Sequence, residues 1–309
     1  MSRQEPDGRS FTITIKLANK VGIITDNLRL PVREALEKAK EIGADGVQMY
    51  AVGGELEPSQ MSPAKRRELS GVLAGLGLEV SALCGDLGGH GFQDPAANRA
   101  KIEKSKRIID LAKDLGADIV TTHIGIVPDD ESGRMYAVMQ EACEELGAYA
   151  KSVDGYFAIE TGPETAVRLK RFLDSLSGDG VSVNYDPANL VMVTGDDPVR
   201  GVHLLKEYIV HTHVKDGVRL APLDPREVYG MFGYNQGSSH NDIAELVESG
   251  AFFREVPLGE GSVGFDAYFR ALAEIGYDGY LTVEREVRRD PVHDLSEAVR
   301  FINQYRFPP

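Results

Sequence analysis

Residues Leu115-Gly116-Ala117-Asp118-Ile119-Val120-Thr121-Thr122-His123-Ile124 read as the close of a helix, a glycine turn and a strand in direct succession. A glycine just past the last apolar residue of a helix supplies the left-handed backbone that closes it. The same turn recurs at Ile42-Gly43-Ala44-Asp45, Leu76-Gly77-Leu78-Glu79 and Ile275-Gly276-Tyr277-Asp278, each leading into a strand candidate. Working outward, short apolar strands are expected at 20–25, 46–50, 79–84, 119–124, 156–161, 181–186, 209–214 and 280–284. Amphipathic helices fill the intervals, clearest at 63–75, 101–115 and 265–275. Ser62-Pro63, Asp94-Pro95, Asp197-Pro198 and Asp290-Pro291 mark helix starts, each a capping side chain ahead of a proline in the first turn.

Strands alternating with helices along the whole chain predict an α/β protein, a single (β/α)8 barrel domain over residues 1–309. A doubly wound open sheet, built from the same units, is the rival. The alternation breaks once. Between strands 7 and 8, about twice the length that one helix needs separates Val214 from Tyr280. The insertion, about 217–257, holds Tyr229, Phe232, Tyr234, Asn235, His240 and Phe252-Phe253. Long excursions of this kind serve as lids, binding loops or contacts between copies, so a homo-oligomer is one expected assembly.

Composition narrows the partners. The 309 residues carry 34 Lys+Arg against 48 Asp+Glu, a net charge of −14. Nucleic acid and anionic membrane surfaces both require a basic face, so neither is expected as a partner. No apolar run of about 18 residues could span a bilayer, and the N-terminal stretch is too polar for a signal peptide. Cys84 and Cys143 stand in no metal or redox spacing, which fits a reducing cytoplasm. Trp is absent and aromatics are 7%, which disfavours a lectin-like stacking groove. A cytoplasmic protein acting on something small is the expectation.

Strand parity sorts side chains into two faces. Phe157 and Ile159 oppose Tyr156, Ala158 and Glu160; Val181, Val183 and Tyr185 oppose Ser182, Asn184 and Asp186. Val210, Thr212 and Val214 oppose Ile209, His211, His213 and Lys215, and Leu281 and Val283 oppose Tyr280, Thr282 and Glu284. With the apolar faces turned to the helices, Glu160, Asp186, His213 and Glu284 point inward near the C-terminal strand ends, where a barrel carries its active site. Three converging carboxylates would repel one another unless a divalent cation joined them. The oxygen-rich set suits Mn2+, Mg2+ or Co2+, with Zn2+ also accommodated. Unrelated strand-end carboxylates paired to Lys or Arg are the competing reading.

His123 shares the inward parity, as a structural histidine or a contact to substrate oxygens. His211 sits one layer deeper than His213 and is expected to support the site, although an HxH pair can supply two ligands. Lys215 and Asp216 follow at the strand mouth. A solvated rim is the simpler reading of the pair, and a hold on a substrate oxygen is the functional reading of Lys215. Gly259-Glu260-Gly261-Ser262-Val263-Gly264 satisfies GxGxxG, with Glu284 at the spacing of a ribose-binding acid. Pro257 interrupts the strand such a site needs, so the glycines are expected to shape a loop before the helix at 265–275, with phosphate binding as the lesser alternative.

Ile159-Glu160-Thr161-Gly162, Tyr185-Asp186-Pro187-Ala188-Asn189-Leu190, His211-Thr212-His213-Val214-Lys215-Asp216, Pro257-Leu258-Gly259-Glu260-Gly261 and Val283-Glu284 together resemble the xylose isomerase-like TIM barrels. The resemblance is to the sugar phosphate isomerase/epimerase family that includes ketose 3-epimerases, and it runs from Val21-Gly22-Ile23 to the last helix. It implies that Glu160, Asp186, His213 and Glu284 bind a divalent metal, with Glu160 and Glu284 also the acid/base pair. It further implies substrate contacts at Asn189 and Arg219. Ketose 3-epimerases commonly carry a histidine three residues after the metal-binding aspartate, where this chain has Asn189. Arg219 matches a substrate-contacting arginine.

The expected activity is therefore that of a divalent-metal-dependent sugar isomerase or epimerase, with Mn2+ the first choice of metal. A small α-hydroxycarbonyl sugar would lose a proton to one glutamate, forming an enediolate, and regain it from the other. Return to the same carbon is epimerisation and return to the neighbouring carbon is isomerisation. Loss of a β-hydroxyl instead would make a dehydratase (lyase) of a keto-sugar or keto-inositol. A non-catalytic sugar-binding barrel would keep the pocket and need no metal. A multi-metal DNA-repair hydrolase would want more histidines and a basic face.

Overall fold

A computed structural model describes residues 3–4, 10–11, 15–231, 250–286 and 289–307. Among them, eight parallel strands close into a barrel: β1 (Val21–Ile24), β2 (Gly46–Tyr50), β3 (Glu79–Cys84), β4 (Ile119–Thr122), β5 (Tyr156–Glu160), β6 (Val181–Tyr185), β7 (Ile209–Val214) and β8 (Leu281–Val283). β8 pairs with β7 on one side and β1 on the other, which closes the sheet and excludes the open doubly wound alternative. The helices between and after them are α1 (Val32–Ile42), α2 (Pro63–Leu76), α3 (Pro95–Asp114), α4 (Arg134–Ser152), α5 (Ala166–Asp174), α6 (Pro198–Leu205), α7 (Phe265–Glu274) and α8 (Pro291–Arg306).

The punctuation read from the sequence has a physical counterpart. Gly43, Gly77, Gly116 and Gly276 all take positive φ, between 62° and 96°, at the helix-to-strand turns. The side chains of Ser62, Asp94, Asp197 and Asp290 each accept a backbone N–H in the first turn of the helix that follows. Each such cap is worth about 1 kcal/mol, and the proline beside it donates nothing that would need a partner. Helix α3 starts at Pro95, as Asp94-Pro95 marks it, and runs ahead of the amphipathic stretch at 101–115; Asp94 caps it by accepting Ala96 N–H at 2.9 Å.

The helix-facing strand residues, among them Val21, Ile23, Val47, Met49, Phe157, Ile159, Val183, Leu281 and Val283, are fully buried against helix residues such as Leu36, Ile108, Leu146 and Phe269. Each such burial contributes about 1.5–3 kcal/mol. The interior of the barrel is different, because Gln48, Ser81, Thr121, Ser182, Asn184, His211 and Thr282 are buried there. These groups must satisfy one another, as Gln48 Nε2 does by donating to Thr121 Oγ1 at 3.3 Å. The polar layer is the floor on which the site rests.

The insertion leaves the barrel at Asp216. Asp216–Arg219 pairs antiparallel with Phe253–Val256, and a short helix, Pro225–Tyr229, lies between them. Arg285 pins this hairpin by reaching Glu255 at 2.7 Å and Asp294 of α8 at 3.3 Å. Phe232, Tyr234, Asn235 and His240 lie outside the described residues. Both cysteines are buried free thiols. No helix among the described residues is long and apolar enough to cross a membrane.

Candidate metal centre and active site

Glu160 is the last residue of β5, Asp186 and Glu284 directly follow β6 and β8, and His213 lies in β7. Each offers one ligand atom, and these atoms all lie within 4.8 Å of one another in a fully buried cluster. His213 Nδ1 stands at the centre, 3.0 Å from Glu284 Oε2, 3.5 Å from Glu160 Oε1 and 3.8 Å from Asp186 Oδ2. The inward parity of the strands therefore produces the predicted convergence.

Local sequence fixes how each carboxylate faces. Asp186 caps the turn Pro187–Asn189, its Oδ1 accepting Asn189 N–H at 2.9 Å, so Oδ2 is the oxygen left for the cluster. Asn189 turns its amide back and donates to Glu160 Oε1 at 3.1 Å, while Asn184 donates to Glu160 Oε2 at 3.2 Å. Asn189 thus reaches the cluster through a glutamate. Asp186 Oδ2 and Glu284 Oε2 are buried without a hydrogen-bond partner. Three carboxylates carry more negative charge than the neighbouring Lys215 ammonium offsets, and three carboxylates with one imidazole suit a hard divalent ion. The residues fit a metal.

Lys215 corrects the expectation of a solvated rim. It is buried, with Nζ 3.2 Å from Glu284 Oε2 and 3.9 Å from both Asp186 Oδ2 and Glu286 Oε2. Burial alone would raise the Asp186 and Glu284 carboxyls. The ammonium of Lys215, aided by His213, outweighs it and holds both below the ordinary carboxylate range.

Asp216 is also buried rather than solvated, and it explains the glycine motif. Its Oδ2 accepts Gly259 N–H and Gly261 N–H, both at 2.9 Å; its Oδ1 accepts Gly217 N–H at 2.9 Å and Val263 N–H at 3.2 Å. The loop forms a nest of backbone donors of the kind that binds phosphate, but a carboxylate of the same chain fills it. The loop leads into α7 as expected, and its donors are spent.

His123 lies just past β4, its Nδ1 3.0 Å from Asp86 Oδ2 and its buried, unpartnered Nε2 3.9 Å from Glu160 Oε1. Burial would lower its pKa, but Glu160 and Asp86 overcome that and push it up to about 9. The Tyr229 ring from the insertion packs over it at 5.4 Å between centroids. Arg219 lies apart: its Nε donates to Ala221 O at 3.3 Å and its guanidinium lies against Gly195, which takes a positive φ of 70°. It lines a side cavity of about 380 Å³ together with Glu164 and Arg168.

His211 supports the site from one layer below. Its Nε2 and that of His213 both face Gln48 Oε1, at 3.0 and 3.1 Å. Gln48 and Asp86 are the functional neighbours that sequence reasoning missed. Gln48 carried a usable signal, a lone amide between the helix-facing Val47 and Met49.

Residues 36–305 match the family model described as xylose isomerase-like TIM barrel. The chain is 28% identical over 163 residues to an inosose dehydratase of Lacticaseibacillus casei, a match covering 53% of this chain and 49% of that protein. It thus spans about half the length of the curated relatives it matches first. It is 24% identical over 289 residues to a putative L-ribulose-5-phosphate 3-epimerase of Escherichia coli K12, covering 87% of this chain and 89% of that one. Among solved structures it resembles a xylose isomerase domain protein from Planctomyces limnophilus, with TM-score 0.73, 24% identity, and 95% and 98% of the two chains covered. A xylose isomerase-like TIM barrel protein from Mycobacterium smegmatis, solved in complex with magnesium, gives TM-score 0.66 at 19% identity, with 99% and 93% covered. These two likenesses speak to the fold. With the family model spanning all but the ends, this chain belongs to the xylose isomerase-like TIM barrel family.

Proposed function

We propose that the protein is a divalent-metal-dependent isomerase or epimerase of a small α-hydroxycarbonyl sugar, working through an enediolate. The observation that carries this reading is the convergence of two glutamates, Glu160 and Glu284, on one buried imidazole nitrogen, at 3.5 and 3.0 Å. Glu160, Asp186, His213 and Glu284 would hold the ion, and the magnesium complex of a structural neighbour makes Mg2+ a choice beside Mn2+. When bound, a divalent ion polarises the substrate carbonyl and favours negative charge on its oxygens.

The chain's own residues supply the rest. Glu284, held as a carboxylate by Lys215 and His213, is suited to accept the proton from the carbon beside the carbonyl. The electron pair of that C–H bond moves to the carbonyl oxygen. Glu160, oriented by the amides of Asn184 and Asn189, would enter the step protonated and give its own proton to carbon as the enediolate re-forms the carbonyl, leaving Glu284 with the proton it took. His123 aims Nε2 from the rim and is placed for a substrate hydroxyl, and Tyr229 covers it from solvent.

A second reading has its own support. The first curated relatives are inosose dehydratases, and the Lys215 ammonium stands 3.2 Å from Glu284, where it could protonate a departing β-hydroxyl. Proton exchange separates the two. Metal-loaded protein is incubated with ketoses and keto-inositols in deuterated water and followed by NMR. Deuterium at C3, or at C1 and C2, with retained carbon skeleton and oxygen count supports epimerisation or isomerisation. Loss of water supports the dehydratase, and no exchange with any compound refutes enediolate chemistry.

A further inference from the structure

We infer that Gln48, a residue of β2 across the barrel from β7, is a positioning residue that fixes the tautomer of His213 and thereby selects Nδ1 as the metal-facing nitrogen. The inference rests on the metal-site reading above. His213 has two ring nitrogens with different surroundings. Nδ1 meets three carboxylates, at 3.0, 3.5 and 3.8 Å. Nε2 points into the polar floor, where Gln48 Oε1 lies at 3.1 Å. In the metal-loaded protein the imidazole is neutral, with one N–H and one lone pair, and the partner of one nitrogen sets the role of the other. A carbonyl oxygen can only accept. Nε2 must then bear the hydrogen, and the lone pair falls to Nδ1, where a cation can use it.

The surroundings of Gln48 accommodate that orientation. Its oxygen also faces His211 Nε2 at 3.0 Å, and its amide nitrogen is engaged by Thr121 Oγ1 at 3.3 Å. An amide oxygen has two lone pairs, so it can take both imidazole N–H groups. Asn184 Nδ2 also lies 3.2 Å from His213 Nε2, but it is equally close to the Glu160 carboxylate, the stronger acceptor. Gln48 and His211 are 1% and 0% exposed, so no bulk water competes for these bonds. An amide suits this place better than a carboxylate. It accepts from both rings without adding a fourth negative charge beneath the cluster.

The test uses two readouts that do not depend on turnover. Long-range proton–nitrogen correlation spectra of histidine-labelled protein report which ring nitrogen of His213 is protonated, and equilibrium dialysis with Mg2+ or Mn2+ reports affinity. The wild type is expected to show the Nε2–H form of His213 in the metal-loaded protein. Gln48→Met, similar in length but without the acceptor, is expected to shift the His213 Nε2–H resonance and weaken binding about 10–100-fold, the range for losing a partner that orients a ligand. Should that variant fail to fold, Thr121→Val, which frees only the far side of the amide, is expected to show smaller shifts in the same direction. An Nδ1–H tautomer in metal-loaded wild type, or unchanged spectra and affinity in both folded variants, overturns the inference. Absence of any metal binding by wild type instead removes the metal-site reading, while a shift of the His213 Nε2–H resonance in Gln48→Met, or none, still judges the Gln48 contact.

Discussion

Asp216 Oδ2 accepts the backbone N–H of Gly261 at 2.9 Å, across the base of the insertion. A Cβ at Gly261 would lie 2.1 Å from Asp216 Oδ1, so the glycine is what lets the carboxylate enter the nest. Asp216→Ala strands a set of inward-facing N–H groups, each costing about 1–3 kcal/mol when buried and unpaired. Two of the four N–H groups are only part-buried and open to water, so urea unfolding should show both Asp216→Ala and Gly261→Ala destabilised by about 2–4 kcal/mol. Asp216→Asn, which keeps one accepting oxygen, should fall between. Wild-type midpoints in both severe variants would show that the nest contributes nothing.

Metal binding is the second prediction. Asp186→Asn and Glu284→Gln each remove one of the orphaned oxygens as an anionic ligand. Their affinity for Mn2+ or Mg2+ should fall by at least the about 10–100-fold typical of losing a partner that merely orients a ligand. Saturating metal at about 100 times Kd should stabilise wild type by about 2.7 kcal/mol, and a chelator should reverse it. Equal ion-induced shifts in wild type and both variants would place the ion elsewhere.

Glu164 predicts a pH dependence. It is 3% exposed, and burial, only partly offset by Val127 N–H and Arg168, pushes its pKa up to about 7. The folded state therefore holds this proton more tightly than the unfolded chain, whose carboxyl titrates at the ordinary 4.5. As pH rises from about 4.5 to about 7, the folded state pays to release it and stability falls. The loss has an upper bound on the order of 3 kcal/mol. Glu164→Gln keeps an acceptor for Val127 N–H and has no proton to lose. It should be more stable than wild type at pH 8 and no more stable at pH 4.5. The same advantage at both pH values would contradict the assignment.

Asn189 tests how Glu160 is held. Asn189→Asp replaces the amide donor to Glu160 Oε1 with a like charge beside the cluster. Turnover is expected to drop about tenfold or more, in line with the loss of a charge-assisted hydrogen bond of about 1.5–3 kcal/mol. The fold should survive, since the side chain bonds only to Glu160 and Thr161 O among its described partners. Circular dichroism checks the fold and steady-state kinetics the turnover; an unchanged kcat would detach Asn189 from the reaction.

Much of this architecture was legible because it is local. The turns at Gly43, Gly77, Gly116 and Gly276 and the caps at Ser62, Asp94, Asp197 and Asp290 are each set within a few residues. Strand parity then placed Glu160, Asp186, His213 and Glu284 inside without knowledge of any contact. What parity cannot give is the neighbour across the barrel. Gln48 meets His211 and His213 only because the sheet closes, and Asp86 meets His123 from a different loop. The misjudged rim at Lys215 and Asp216 has the same origin. Charged residues at a strand mouth read as solvated until the partners that bury them, Glu284 and the distant glycine loop, are in place.

The pairing of Asp216 with Val256 sets the two roots of the insertion side by side on one ladder. An excursion whose ends already touch adds little closure entropy however long it grows, because the cost rises only with the logarithm of length. The barrel is thus insulated from what happens beyond that rung. A change of length beyond it is therefore expected to leave the spacing of β7 and β8 fixed, while Tyr229 carries the cover over His123.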